Sequence, residues 1–135
     1  MTTDRHLIID RSVIESILEY TKANHPSEAI LLLNGKTTNA GTRIDGVEIP
    51  PLAVHGRGFS SFPLQGLPID FSVVGTAHSH PSGVPQPSIQ DLNNFYGRVM
   101  VIATFPYESP DNIAVFNSRG EQIRYRVAEE QRNCE

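Results

Sequence analysis

The stretch from His78 to Asp91, HSHPSGVPQPSIQD, constrains the fold more than any other part of this 135-residue chain. The apolar run before it, Val73-Val74-Gly75-Thr76-Ala77, predicts a strand with His78 and His80 at or near its end. Residues i and i+2 of a strand point to one face, so the two imidazoles stand side by side. Pro81, Gly83, Pro85 and Pro87 make the next segment a turn of fixed length. Ser88 and Asp91 then open a helix, where residues i and i+3 share a face. One strand end facing one helix start thus brings two imidazoles, a carboxylate and a hydroxyl to a single point.

Two imidazoles and a carboxylate are three ligands that Zn²⁺ accepts, and three ligands leave the fourth position to water, as in catalytic rather than structural sites. Each pair alone also fits an ordinary role. The histidines suit a polar strand end, and Ser-x-x-Asp resembles a capping box. Together, at this fixed separation, His78, His80 and Asp91 read as a metal centre with Ser88 beside it, and a capping serine is compatible with a catalytic one. A hydrolytic centre also needs a base. Asp70 and Asp91 are the acids near the histidines in sequence. Glu28 is the unexpected one: it begins Glu28–Asn34, EAILLLN, where a charge is costly without a task or a partner. A solvated strand end after Pro26-Ser27 explains Glu28 equally well, and the residues alone do not choose. A zinc deaminase would require His-x-Glu and Pro-Cys-x-x-Cys, and the chain has neither.

The remaining sequence predicts one α/β domain (α+β mixed) spanning residues 1–135. His6–Asp10 reads as a strand. Ser12 and Glu15 have capping-box spacing, and Val13, Ile14, Ile17, Leu18 and Thr21 recur with helical period, so a helix is expected from about Arg11 to Asn24. Glu28–Asn34 reads as a buried central strand ended by a turn at Gly35. Arg43–Ile49 is a further strand. The segment from Leu52 to Phe71 is hard to read, with one short strand expected around Gly58–Phe62. Val73–Ser79 is a strand, Ser88–Tyr96 a short helix, Arg98–Phe105 a strand, and Asn112–Asn117 with Gln122–Val127 a hairpin. The order suggests one mixed sheet with helices packed against it. Net charge is −4 with no block of like charges, which offers nothing to nucleic acid or an anionic membrane. No run approaches a membrane span, the first residues lack a secretory apolar core, and the only cysteine is Cys134, so a cytoplasmic location is expected.

The motif resembles that of the JAMM metalloproteases, the MPN or JAB family. NHPSEAILLLNG resembles the family's glutamate-bearing segment, Gly75–Pro81 its ligand strand, and Pro87-Ser88-Ile89-Gln90-Asp91 its helix start. The resemblance extends over roughly residues 7 to 127, and is nearest to small prokaryotic and archaeal-type members. It implies a mixed sheet flanked by helices, of cytidine-deaminase-like type. It implies Zn²⁺ on His78, His80 and Asp91, with Glu28 as general base and then acid, and Ser88 as donor to the oxyanion. It also implies a deubiquitinase-like isopeptidase that cuts between the Gly-Gly terminus of ubiquitin or a ubiquitin-like modifier and a lysine, and leaves open membership of a proteasome-type assembly. Two alternatives stand beside it: a peptidase acting on the C-terminus of a sulfur-carrier ubiquitin-like protein, and a non-catalytic MPN scaffold. Of the other histidines, His6 and His55 read as solvated, while His25 is near enough to Glu28 in sequence to orient it. Phe59, Phe62, Leu64, Leu67 and Phe71 read as core, with one or two adjoining the substrate groove.

Overall fold

Eight strands form a mixed sheet in the order β10-β1-β3-β2-β6-β7-β8-β9 in a computed structural model that describes residues 6–50, 54–56, 59–61 and 72–129. The strands are β1 (His6–Asp10), β2 (Ile30–Thr38), β3 (Gly41–Glu48), β6 (Val73–His80), β7 (Val99–Thr104), β8 (Ile113–Phe116), β9 (Gln122–Ile123) and β10 (Arg126–Ala128). Helix α1 (Arg11–Asn24) follows β1 directly, and α2 (Ile89–Asn93) lies between β6 and β7. A separate ribbon pairs β4 (Val54–Gly56) with β5 (Phe59–Ser61). The strand expected around Gly58–Phe62 is therefore present as β5. Phe62, Leu64, Leu67, Asp70, Phe71 and Cys134 lie outside the described residues.

Helix α1 buries Val13, Ile14, Ile17, Leu18 and Thr21, the stripe that its period marked out. Its N-terminus differs from expectation. The N-cap is Asp10, without a side-chain cap bond, because the Asp10 carboxylate instead accepts from the Arg43 guanidinium at 2.8 Å. The core cluster that includes Val13, Ile14, Ile17 and Leu18 also holds Leu31 and Leu33 of β2, Val74 and Ala77 of β6, Val99, Val101 and Ala103 of β7, and Ile113 and Val115 of β8. The alternate residues of the last two strands, Met100, Ile102, Ala114 and Phe116, form a second cluster under Phe95, just after α2. The central strands are thus buried on both faces, which is why they read as nearly unbroken apolar runs.

Two glycines reflect close backbone approach. A Cβ on Gly35 would sit 2.0 Å from the Arg43 carbonyl oxygen, and one on Gly75 would sit 2.1 Å from the Val99 carbonyl oxygen. Gly35 does not end β2 as its sequence suggested. It sits at a bulge against β3, and the strand runs on to Thr38. The expected C-terminal hairpin is also modified. Gln122–Ile123 pairs with β8, but Arg126–Ala128 crosses to pair in parallel with β1 at the other end of the strand order. Only Arg124 and Tyr125 intervene, a span of at most about 10 Å, so the sheet must curl until its two edges nearly meet. The β8–β9 ladder stops at Ile123, and Tyr125 and Val127 pack against the main core instead.

Candidate metal and catalytic site

The register of β6 sets the site. Thr76, His78 and His80 face the same way, opposite Met100, Ile102 and Thr104 of β7, while Ala77 and Ser79 face the other side. His78 also stands across from Ile30 of β2. Continued past the end of β2, this antiparallel register puts Ala29 opposite Ser79 and Glu28 opposite His80, with Glu28 on the histidine face. The bonds agree: the Ser79 N–H donates to the Ala29 carbonyl at 3.0 Å, and the Ala29 N–H donates to the Ser79 hydroxyl oxygen at 2.7 Å. Glu28 is half-buried and stands two residues before the first paired residue of β2, slightly outside the strand it was expected to begin.

Helix α2 brings the carboxylate. Ser88 is its N-cap: the Ser88 hydroxyl accepts from the Asp91 N–H at 3.0 Å, and Asp91 Oδ2 accepts from the Ser88 N–H at 2.8 Å. The capping box seen in the sequence is formed, and it orients Asp91 toward β6. Asp91 Oδ2 lies 3.1 Å from His80 Nε2, and Asp91 Oδ1 lies 3.6 Å from His78 Nδ1. The helix is shorter than the expected Ser88–Tyr96. It closes at Asn94, whose side-chain amide donates to the Gln90 carbonyl at 3.1 Å. Ser88 uses an oxygen lone pair in the cap, which leaves its own O–H available, and the residue is exposed.

The donor chemistry fits a divalent cation. His80 Nδ1 lies 2.9 Å from the Val84 carbonyl, and Nε2 faces the Asp91 carboxylate. Both partners can only accept. His80 must therefore carry protons on both nitrogens, or a cation must stand in for the one on Nε2. Burial alone would lower the His80 pKa, but the bonds to Asp91 and Val84 and the charges of Asp91 and Glu28 outweigh it and raise the value. Burial would likewise raise Asp91, yet the His78 and His80 imidazoles and the Ser88 amide hold it far below the usual carboxylate range. Ligands about 2.05 Å from a tetrahedral ion are about 3.3 Å apart, between the two imidazole–carboxylate separations. Among the described residues no group of three or more His, Cys, Asp or Glu side chains is spaced to hold a metal ion as the side chains stand. Asp91 is turned into hydrogen bonds with His80 and Ser88, so the donors converge in pairs. Asp70, the other acid near the motif, lies outside the described residues.

Three further side chains adjoin the site, and no local sequence pattern marks them. Thr76 is buried and its hydroxyl meets His78 Nε2 at 3.1 Å. Ser79 lies between the two histidines, and strand alternation turns it to the opposite face. Tyr107, buried just beyond β7, meets His25 Nδ1 through its hydroxyl at 3.2 Å.

The class follows from this fold and site together. A family profile described as prokaryotic homologs of the JAB domain matches residues 10–119. The chain belongs to the JAMM/MPN family, whose members are metalloprotease-like. A probable metalloprotease of Haloferax volcanii is 35% identical over 121 residues, covering 84% of this chain and 74% of that protein. A solved JAMM structure, described as a metalloprotease-like zinc site in the proteasome and signalosome, superposes with a TM-score of 0.66 at 28% identity, covering 92% of this chain and 99% of that one. A JAB1/MPN domain protein from Archaeoglobus fulgidus gives the same TM-score of 0.66 at 31% identity, covering 90% of this chain and 98% of that one. No helix among the described residues is long and apolar enough to cross a membrane.

Proposed function

We propose that this chain is a zinc-dependent isopeptidase. It hydrolyses the amide between the C-terminal Gly-Gly of a ubiquitin-like modifier and a lysine amine. The observation that carries the reading is the convergence of His78 and His80 on Asp91, at 3.6 and 3.1 Å, beside a half-buried glutamate from a distant part of the chain. His78, His80 and Asp91 would hold the metal. When bound, zinc supplies Lewis acidity and a water acidified toward about pH 7.

The protein's own groups supply the rest. Glu28, opposite His80, takes the proton from the attacking water and hands it to the departing lysine amine. The Ser88 O–H donates to the carbonyl oxygen as negative charge develops on it. His80 is held in one orientation by the Val84 carbonyl, so Nε2 stays aimed at Asp91. An extended diglycine suits such a site, because glycines let backbone approach a metal closely.

The test is Glu28→Gln in the zinc-loaded protein. Turnover of a Gly-Gly–lysine isopeptide probe should fall below detection while zinc content, measured by elemental analysis, stays at one equivalent. Retention of most of the activity would remove Glu28 from the mechanism. A wild-type protein that held well under one equivalent after metal repletion would favour a non-catalytic scaffold.

A further inference from the structure

The segment that carries Glu28 is tied down on both sides, and the ties meet on the face of β6 away from the histidines. On the C-terminal side, the Ala29 N–H donates to Ser79 Oγ at 2.7 Å and the Ser79 N–H donates to the Ala29 carbonyl at 3.0 Å. The Glu28–Ala29 peptide is thereby fixed to the residue that separates the two histidines. On the N-terminal side, His25 Nδ1 lies 3.2 Å from the Tyr107 hydroxyl. The His25 ring stacks on Phe105 with centroids 4.6 Å apart and meets Tyr107 edge-on at 5.5 Å. The Ser79 and Tyr107 side chains are neighbours on this face, which brings the two ties together.

The Ala29 N–H donates to the Ser79 hydroxyl oxygen, and the Tyr107 hydroxyl has the His25 imidazole as its partner. Ser79 is 1% exposed and Tyr107 2%, so neither has water in which to find a substitute partner. Burial raises the Tyr107 pKa, the neighbouring Ser79 hydroxyl opposes this, and the Glu28 charge adds to the rise, so the phenol stays protonated near the glutamate.

We infer that Tyr107 is a positioning residue for Glu28: its buried hydroxyl, bonded to His25 beside the paired Ser79 and Ala29, helps hold the glutamate in register with the metal-ligand strand. The inference rests on the proposed role of Glu28. Tyr107 reaches no reacting atom and acts through the backbone of residues 25–29. Misplacing a reacting group by about 1 Å can cost about a hundred-fold in rate, so a loosened clamp should show in turnover.

The experiment uses the zinc-loaded full chain. Tyr107→Phe keeps the ring and deletes only the hydroxyl. Three readouts are compared: zinc content, steady-state kinetics on a fluorogenic peptide in which a Gly-Gly carboxyl is joined to a lysine ε-amine, and amide hydrogen exchange at Ala29. The expected result is unchanged zinc, kcat lower by about tenfold or more with KM nearly unchanged, and faster exchange at Ala29 but not at Leu31 or Leu33. In a Glu28→Asp background, where the carboxylate is already displaced, the same substitution should add little further loss. His25→Phe, which keeps the stacked ring but removes the acceptor, should reproduce the pattern more weakly. Unchanged kcat together with unchanged Ala29 exchange overturns the inference. So does an equal fractional loss in the two Glu28 backgrounds, since that marks a general structural effect. A fully active Glu28→Gln, or a wild type inert on the probe, refutes the proposed function instead, and amide exchange still decides whether the clamp exists.

Discussion

Ser88 is assigned two roles, capping and oxyanion donation, that one substitution removes and another separates. Ser88→Ala deletes the acceptor for the Asp91 N–H, at 3.0 Å, together with the hydroxyl hydrogen available to a substrate carbonyl. Loss of a serine N-cap costs about 0.5–2 kcal/mol. Here the lower half of that range applies, because α2 is five residues long and buries none of them. Loss of an oxyanion donor costs about 3–4 kcal/mol of barrier, two to three orders of magnitude in kcat. The two effects differ enough to be told apart. Against a folding stability of about 5–15 kcal/mol, a missing cap leaves nearly every molecule folded and cannot account for a hundred-fold rate loss. Ser88→Asp keeps the cap acceptor but offers no hydrogen and sets a charge against the oxyanion. Ser88→Thr keeps both functions. Urea unfolding should therefore rank Thr and Asp close to wild type with Ala about 1 kcal/mol lower. Turnover of the Gly-Gly–lysine probe should keep Thr within about tenfold of wild type and place both Ala and Asp at least about a hundred-fold below. If Ser88→Ala kept kcat within tenfold of wild type, or if Ser88→Asp were as active as Ser88→Thr, the hydroxyl would be a cap alone.

Two other outcomes bear on the fold and the site. Gly75→Ala would place a methyl 2.1 Å from the Val99 carbonyl oxygen, in backbone that cannot yield without parting β6 from β7. It should therefore fail to give a cooperatively folded protein by circular dichroism and thermal melting, whereas Gly46→Ala, whose added carbon would meet only the Asn34 side chain at 3.7 and 3.8 Å, should fold. The pH dependence of the metal-free protein follows from the His80–Asp91 pair. His80 is raised, so its contribution is complete below the unfolded histidine value of about 6.5 and is lost as pH rises through the folded value. Asp91 is depressed, so its contribution is present above the unfolded value of about 3.9 and is lost only as pH falls far below it. The chelated protein should accordingly melt at lower temperature at pH 9 than at pH 6, and this slope should flatten in Asp91→Asn. Zinc should reverse the trend, because binding must displace the His80 proton. A melting temperature for the chelated wild type that rose from pH 6 to pH 9 would refute the pairing.

How much of this was legible in the sequence depends on whether local signals and tertiary demand agreed. For α1 they agreed: the stripe of Val13, Ile14, Ile17 and Leu18 is both the helical period and the buried face. For His78 and His80 the strand period alone fixed the face, and the turn through residues 81–87 allowed α2 to return with Asp91 to the same side. Misreadings arose where a distant partner overrode a local cue. Asp10 forgoes capping because Arg43, brought alongside by the pairing of β1 with β3, competes for its carboxylate. Gly35 reads as a turn but is required by the approach of the Arg43 carbonyl across the sheet. The Gln122–Val127 run breaks after Ile123 because the far edge of a curled sheet offers Arg126–Ala128 a new partner in β1. The clamp around Glu28 was the least legible part, since His25, Ser79 and Tyr107 are joined only by the fold. Ser79 lies in the most informative motif of the chain, yet its side chain points away from the chemistry that drew attention to the motif. One face of β6 gathers the candidate ligands while the other fixes the candidate base, so the two halves of the site share a single strand as their common reference. A change on either face of that strand should be felt on the other, which is the coupling that the Tyr107 and Glu28 double substitution measures.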